Sequence, residues 1–118
     1  MAKMLVIYKT PKDIEAFEKH YWNVHIPLAK NLPGLRKYEV TRGPIAVVLG
    51  DINTYLIATL YFDSMDAIKE AFASECGLAC AKDRRILAPN DEDAQMFLFG
   101  DVVEATLGSI ISGAKNIS

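Results

Sequence analysis

Tyr55-Leu56-Ile57-Ala58-Thr59-Leu60-Tyr61-Phe62 is the stretch that decides the fold. It has strand length and is rich in β-branched and aromatic residues. A strand with one face in water alternates apolar and polar side chains. This one does not: only Thr59 and the two Tyr hydroxyls are polar. Both faces of its sheet therefore require burial.

Three more strands flank it. Lys3–Lys9 reads KMLVIYK, Leu35–Thr41 reads LRKYEVT, and Gln95–Val103 reads QMFLFGDVV. Between the first two, Thr10-Pro11-Lys12-Asp13 opens a helix. Thr10 is placed to cap it, Pro11 suits the first helical position, and Asp13 resembles the acidic member of a capping box. Ile14, Phe17, Tyr21, Val24 and Leu28 then form one apolar stripe, and the helix extends to about Asn31. Pro27 lacks an N–H and predicts a kink or a change of helix type. Ile45–Leu49 either continues the second strand or packs as a loop, and Gly50-Asp51-Ile52-Asn53 has turn chemistry. After the third strand, Asp63-Ser64 caps a helix carrying Met65, Ile68 and Phe72. Helix resumes after Ser74 with Leu78, Ala81 and Ile86, and Gly77 is a candidate interruption. The chain divides into a domain over 1–103 and a tail over 104–118, whose apolar centre is Leu107, Ile110 and Ile111.

The order is βαββαβ. Right-handed crossovers put both helices on one face of a four-stranded antiparallel sheet, a ferredoxin-like α+β arrangement. Two helices cover one face only. The other face predicts a homodimer, sheet against sheet across a two-fold axis.

Composition narrows the function. The 118 residues suit one domain, and the net charge of −2 comes from 13 basic and 15 acidic residues with no basic run. Nucleic acid is not an expected partner. The apolar stretches are strand-sized, so no membrane span is expected, and the N-terminus lacks the apolar core of a secretory signal. A cytoplasmic protein is the expectation. Cys76 and Cys80 read as free, packed thiols, because no Cys or His cluster supplies further metal ligands. No phosphate loop or nucleophile elbow is present, and neither a metal nor a cofactor is expected.

The first helix concentrates the chemistry, in Phe17-Glu18-Lys19-His20-Tyr21-Trp22-Asn23-Val24-His25-Ile26-Pro27-Leu28. His25 lies at the margin of the stripe, one turn after Tyr21. One reading makes it a pocket acid/base with Tyr21 bonding its ring or a substrate oxygen. The other makes it structural, its ring N–H satisfying a carbonyl freed near Pro27. His20 lies about 140° around the helix from His25 and is expected at the surface. Trp22 is either a pocket wall or packing for the second helix or the dimer partner. Tyr8 and Tyr61 are core residues or pocket hydroxyls, depending on strand parity. Asp101 is expected at the rim. The candidate site is thus His25 and Tyr21 as catalytic groups, with Tyr8, Trp22 and Tyr61 around a small apolar or aromatic ligand.

The His25-Ile26-Pro27-Leu28 step, followed by Leu32-Pro33-Gly34-Leu35 into the second strand, resembles the EthD family. Leu60-Tyr61-Phe62-Asp63-Ser64 and the late Phe97-Leu98-Phe99 are similar to that family's pattern as well, so the resemblance spans roughly 3–103. It implies a ferredoxin-like fold paired sheet to sheet as a dimeric α+β barrel, with a pocket between helices and sheet in each subunit. The family name comes from ethyl tert-butyl ether degradation, in which such a protein accompanies an oxygenase system. Similar barrels include cofactor-independent monooxygenases, cyclases and dehydratases. The resemblance therefore implies either a cofactor-independent enzyme of that kind or a non-catalytic accessory protein.

Overall fold

Alternation along the strands sorts the side chains into two populations. In the computed structural model, which describes residues 1–50 and 53–105, β1 (Ala2–Tyr8) and β3 (Leu56–Phe62) form the centre of the sheet. They pair antiparallel from Ala2↔Phe62 to Tyr8↔Leu56. β2 (Lys37–Val40) pairs with β3, β4 (Ala94–Phe99) pairs with β1, and the sheet order is β2-β3-β1-β4. This is the expected four-stranded antiparallel, ferredoxin-like α+β topology. Ala2, Met4, Val6, Tyr8, Leu56, Ala58, Leu60 and Phe62 are buried beneath the helices. Lys3, Leu5, Ile7, Ile57, Thr59 and Tyr61 lie on the opposite, open face. That face is less uniformly apolar than the sequence reading held. At one end Tyr61 Oη donates to Glu39 at 2.6 Å, and the Lys3 and Lys37 ammonium groups lie 5.3 and 5.1 Å from the Tyr61 ring centre.

The first helical run has three segments: α1 (Ile14–His20), a π-helical turn (Tyr21–His25) and α2 (Ile26–Ala29). Asp13, not Thr10, is the cap and accepts from the Ala16 N–H at 3.0 Å; Thr10 Oγ1 instead donates to Asn53 Oδ1 at 2.6 Å. The change of helix type predicted from Pro27 falls just before it. The Ile26 N–H reaches back to the Tyr21 carbonyl, one residue further than in an α-helix. That extra residue shifts the phase of the buried stripe. Phe17 and Tyr21 are buried as the spacing predicts, but beyond them the buried positions are His25, Ile26 and Ala29, while Ile14 and Val24 are exposed.

α3 (Met65–Ala73) and α4 (Glu75–Leu87) complete the cover. Ser64 caps α3 through the Ala67 N–H, and Ser74 caps α4 through the Gly77 N–H. The break between them falls at Ser74. Gly77 allows the two helices to meet closely: a Cβ there would stand 2.2 Å from the Ala71 carbonyl oxygen. Ile68 and Phe62 are fully buried, and such burial stabilises by roughly 1.5–3 kcal/mol per side chain.

β4 ends at Phe99, short of the predicted Val103. Val102 and Val103 are exposed, as is Asp101, whose carboxylate is 3.4 Å from the N-terminal amine. Ile45–Leu49 is neither helix nor strand, with Val48 and Leu49 almost fully exposed. The Asp51-Ile52 turn and the tail centre at Leu107, Ile110 and Ile111 lie outside the described residues. No described helix is long and apolar enough to cross a membrane.

Candidate functional site

Between the helices and the sheet lies a cavity of about 150 Å³. Met4, Val6, Tyr8, Ala58 and Leu60 floor it from β1 and β3. Tyr21 and His25 enter from the π turn, Tyr38 from β2, and Cys80 and Arg84 from α4. Larger grooves open at the surface, among them one beside His20 and one beside Trp22. The helix-side cavity is the candidate site because, among the described residues, it gathers His25 with three tyrosines.

The π turn sets the aromatic geometry. Phe17, Tyr21 and His25 stack as a ladder, with centroid spacings of 5.7 and 5.5 Å and interplanar angles of 6° and 22°. Tyr8 meets the Tyr21 ring edge-on at 5.9 Å. Tyr21 Oη and Tyr38 Oη share a hydrogen bond of 2.9 Å. Only one hydroxyl can donate in such a pair, so the other hydroxyl hydrogen remains available. Burial, reinforced by the Tyr38 phenol, holds Tyr21 far above the ordinary phenol range; burial also pushes Tyr38 up to about 12, although the hydrogen bond with Tyr21 opposes it. Burial likewise raises Tyr8, so all three remain neutral donors near neutral pH.

His25 is only 7% exposed and its Nδ1 lies 2.8 Å from Asp83 Oδ2 on α4. Asp83 Oδ1 takes a second bond from His20 Nε2 at 2.9 Å. Burial pushes the Asp83 carboxyl upward, but the hydrogen bonds from His25 and His20 outweigh it, and the group is held below the usual carboxylate value. An ionised carboxylate only accepts, so Nδ1 of His25 and Nε2 of His20 carry the protons. Nε2 of His25 is then a bare lone pair with no hydrogen-bond partner among the described residues, on a side chain that lines the cavity. Desolvation lowers the His25 pKa from its usual 6.5, with Asp83 opposing. The imidazole is therefore neutral and basic at Nε2 at neutral pH. Carboxylate, oriented imidazole and free ring nitrogen are the parts of a general base held in one tautomer.

The sequence-derived candidates divide. His25, Tyr21 and Tyr8 meet at this cavity. Tyr21 stacks on His25 and bonds Tyr38, so its hydroxyl does not hold the imidazole ring. The His25 N–H goes to Asp83, not to a carbonyl near Pro27. Trp22 lines the separate outer groove, its Nε1 donating to Glu18 at 3.0 Å and its ring 4.7 Å from the Arg42 guanidinium. Tyr61 is on the open face, because strand parity sends it opposite to Leu60 and Phe62. His20 is half-buried rather than a surface residue, since Asp83 draws it in. Among the described residues no group of three or more potential metal ligands occurs. Cys80 is buried on the cavity wall, and burial raises its thiol to about 12, so it stays protonated.

Asp83 and Tyr38 were missed from sequence. A trace of Asp83 was present: Cys76, Cys80, Asp83 and Leu87 follow helical spacing, so a carboxylate occupies the stripe facing inward.

Topology and site together define a ferredoxin-like α+β domain with a small helix-side cavity. The chain belongs to the EthD family: the EthD domain matches residues 9–88. It is 32% identical over 84 residues to an uncharacterised 11.0 kDa protein of the thcB-thcC intergenic region of Rhodococcus erythropolis, covering 70% of this chain and 80% of that one. An ethyl tert-butyl ether (EthD) family protein from Bacillus halodurans C-125 superposes with a TM-score of 0.77 at 30% identity, over 86% of this chain and 99% of that one. The same fold occurs in SnoaB, a cofactor-independent oxygenase from Streptomyces nogalater. There the TM-score is 0.62 and the identity 15%, over 88% and 95% of the two chains.

Proposed function

We propose that this chain is a homodimeric enzyme that moves a proton on a small apolar or aromatic ligand without a bound cofactor. The observation that carries this reading is the bare Nε2 of His25 at the cavity wall, backed by Asp83. Nε2 takes a proton from an acidic O–H, or from a C–H beside a carbonyl. The electron pair left behind moves onto the ligand oxygen, where the free hydrogen of the Tyr21–Tyr38 hydroxyl pair meets it. In a β-hydroxy ketone the enolate re-forms the carbonyl and expels the β-hydroxyl, which takes the proton from His25 and leaves as water. In a ligand with a second carbonyl the enolate carbon bonds to that carbonyl carbon and the resulting alkoxide takes the proton, closing a ring. SnoaB, which shares the fold, is a cofactor-independent oxygenase, an analogy for chemistry without a bound cofactor.

The test is turnover of a panel of small phenols and enolisable ketones. His25→Gln should lower kcat/KM about 10²–10⁴-fold with the fold unchanged by circular dichroism. Equal turnover by wild type and His25→Gln would end the acid/base assignment.

The dimer pairs the open sheet faces. Leu5, Ile7 and Ile57 are incompletely covered in one subunit and Phe97 is 48% exposed, and contiguous apolar patches of this kind are uncommon on monomers. Residues 1–103 make up the folded unit in this reading, with 104–118 as an appendage. Sedimentation at micromolar concentration should give a dimer, for the full chain and for one ending at residue 103.

A further inference from the structure

We propose that the ligand of the helix-side cavity is a small aromatic carboxylate, its ring among the apolar side chains and its carboxylate facing Arg84 and Arg85. This rests on the cavity being a ligand site. The walls are apolar except for the tyrosines, His25 and these two adjacent guanidinium groups on α4. Neither arginine has a carboxylate within 4.0 Å among the described residues, whereas Arg36 and Lys37 are both paired. Arg84 donates through Nη1 to the Ala88 carbonyl at 2.7 Å, one bond among the five a guanidinium can make. Arg85 makes no hydrogen bond among the described residues and is exposed beside the cavity. Asp83, the adjoining acid, is already engaged at both oxygens by His20 and His25.

Size and charge then select the ligand. An apolar cavity of ~150 Å³ accepts a benzene-sized ring. A carboxylate on that ring gains a charge-assisted hydrogen bond that a neutral substituent cannot match. The arginines act on binding and orientation. Arg84 lines the same cavity as Tyr8, the tyrosine of its floor.

Benzoate and the neutral benzyl alcohol are the probes, titrated into the full-length protein and followed by amide and imidazole NMR shifts. Benzoate is expected to bind at least tenfold more tightly than benzyl alcohol, with both shifting the His25 ring signals. Arg84→Gln/Arg85→Gln should weaken benzoate at least tenfold and leave benzyl alcohol within twofold. Arg85→Gln alone, which removes no bond seen within the described fold, should give a smaller loss in the same direction. Benzyl alcohol binding as well as benzoate overturns the carboxylate assignment while the cavity survives as a ligand site. Benzoate affinity unchanged in the arginine variants overturns it too. Failure of both probes to shift His25 overturns the cavity reading and this inference with it.

Discussion

Tyr8 and Tyr61 are the same residue type on adjacent central strands, yet they end in opposite environments. Tyr8 is 2% exposed on the cavity floor, while Tyr61 stands on the open face with its hydroxyl on Glu39. The difference is the strand's period of two, which sends successive side chains to opposite faces. One face of the sheet is covered by helices along β1 and β3, with Met96 and Leu98 of β4 exposed at its edge, and holds a buried imidazole–carboxylate pair. The other carries an apolar centre at Leu5, Ile7, Ile57 and Phe97 and a charged end at Lys3, Lys37 and Glu39. Burial and a shared carboxylate on the helix-covered face fix tautomers and shift pKa values; an open, mixed face suits pairing with a second copy.

The largest effect should come from the helix-covered face. Phe62→Ala removes a fully buried ring and should cost about 3–5 kcal/mol in denaturant unfolding. A loss under 1 kcal/mol would mean that this face is not the core. On the open face, Ile57→Lys should leave the subunit folded but break the proposed dimer, since like charges facing across an interface cost several kcal/mol. Sedimentation reads this directly, and an unchanged dimer would move the interface elsewhere.

Asp83→Asn sharpens the contrast from within the helix-covered face. The amide presents an N–H to one of two imidazole N–H groups, leaving a buried donor unsatisfied at about 1–3 kcal/mol. It also removes the groups that raise the His25 pKa, so that value should fall further below 6.5 in an NMR titration. A rise instead would show that Asp83 does not hold the imidazole.

In the wild type the sign follows from the same shift. His25 titrates below 6.5 when folded, so as pH falls the unfolded chain takes up this proton first. The His25 contribution is complete above about pH 6.5 and lost as pH falls through the folded value. Urea midpoints between pH 7 and 5 should decline for the wild type, and decline less for His25→Gln. The smallest effect belongs to Tyr61→Phe. It should leave ligand-induced shifts at the cavity unchanged, and an altered cavity signal would link the two faces.

Much of the fold was legible because it depends on local pattern. Apolar runs marked four strands, Ser64 and Ser74 marked two helix starts, and Pro27 marked a change of helix type. The phase of the first helix was less legible. Fixed α-helical spacing selected Val24, whereas the π turn adds a residue and turns His25 inward. The site was legible only in part: His25 and Tyr21 belong to one short segment, but Asp83 lies 58 residues from its partner His25.

The sequence by itself determined the element order, the antiparallel ferredoxin-like sheet and the presence of a histidine near one helix margin. These follow from periodicity and capping, which act over a few residues. Only the tertiary structure decided which face each tyrosine takes, that His20 and His25 share one carboxylate, and that Trp22 stands apart from the cavity. Those outcomes depend on strand register and on how α4 packs against the π turn, and such long-range contacts leave little trace in neighbouring residues.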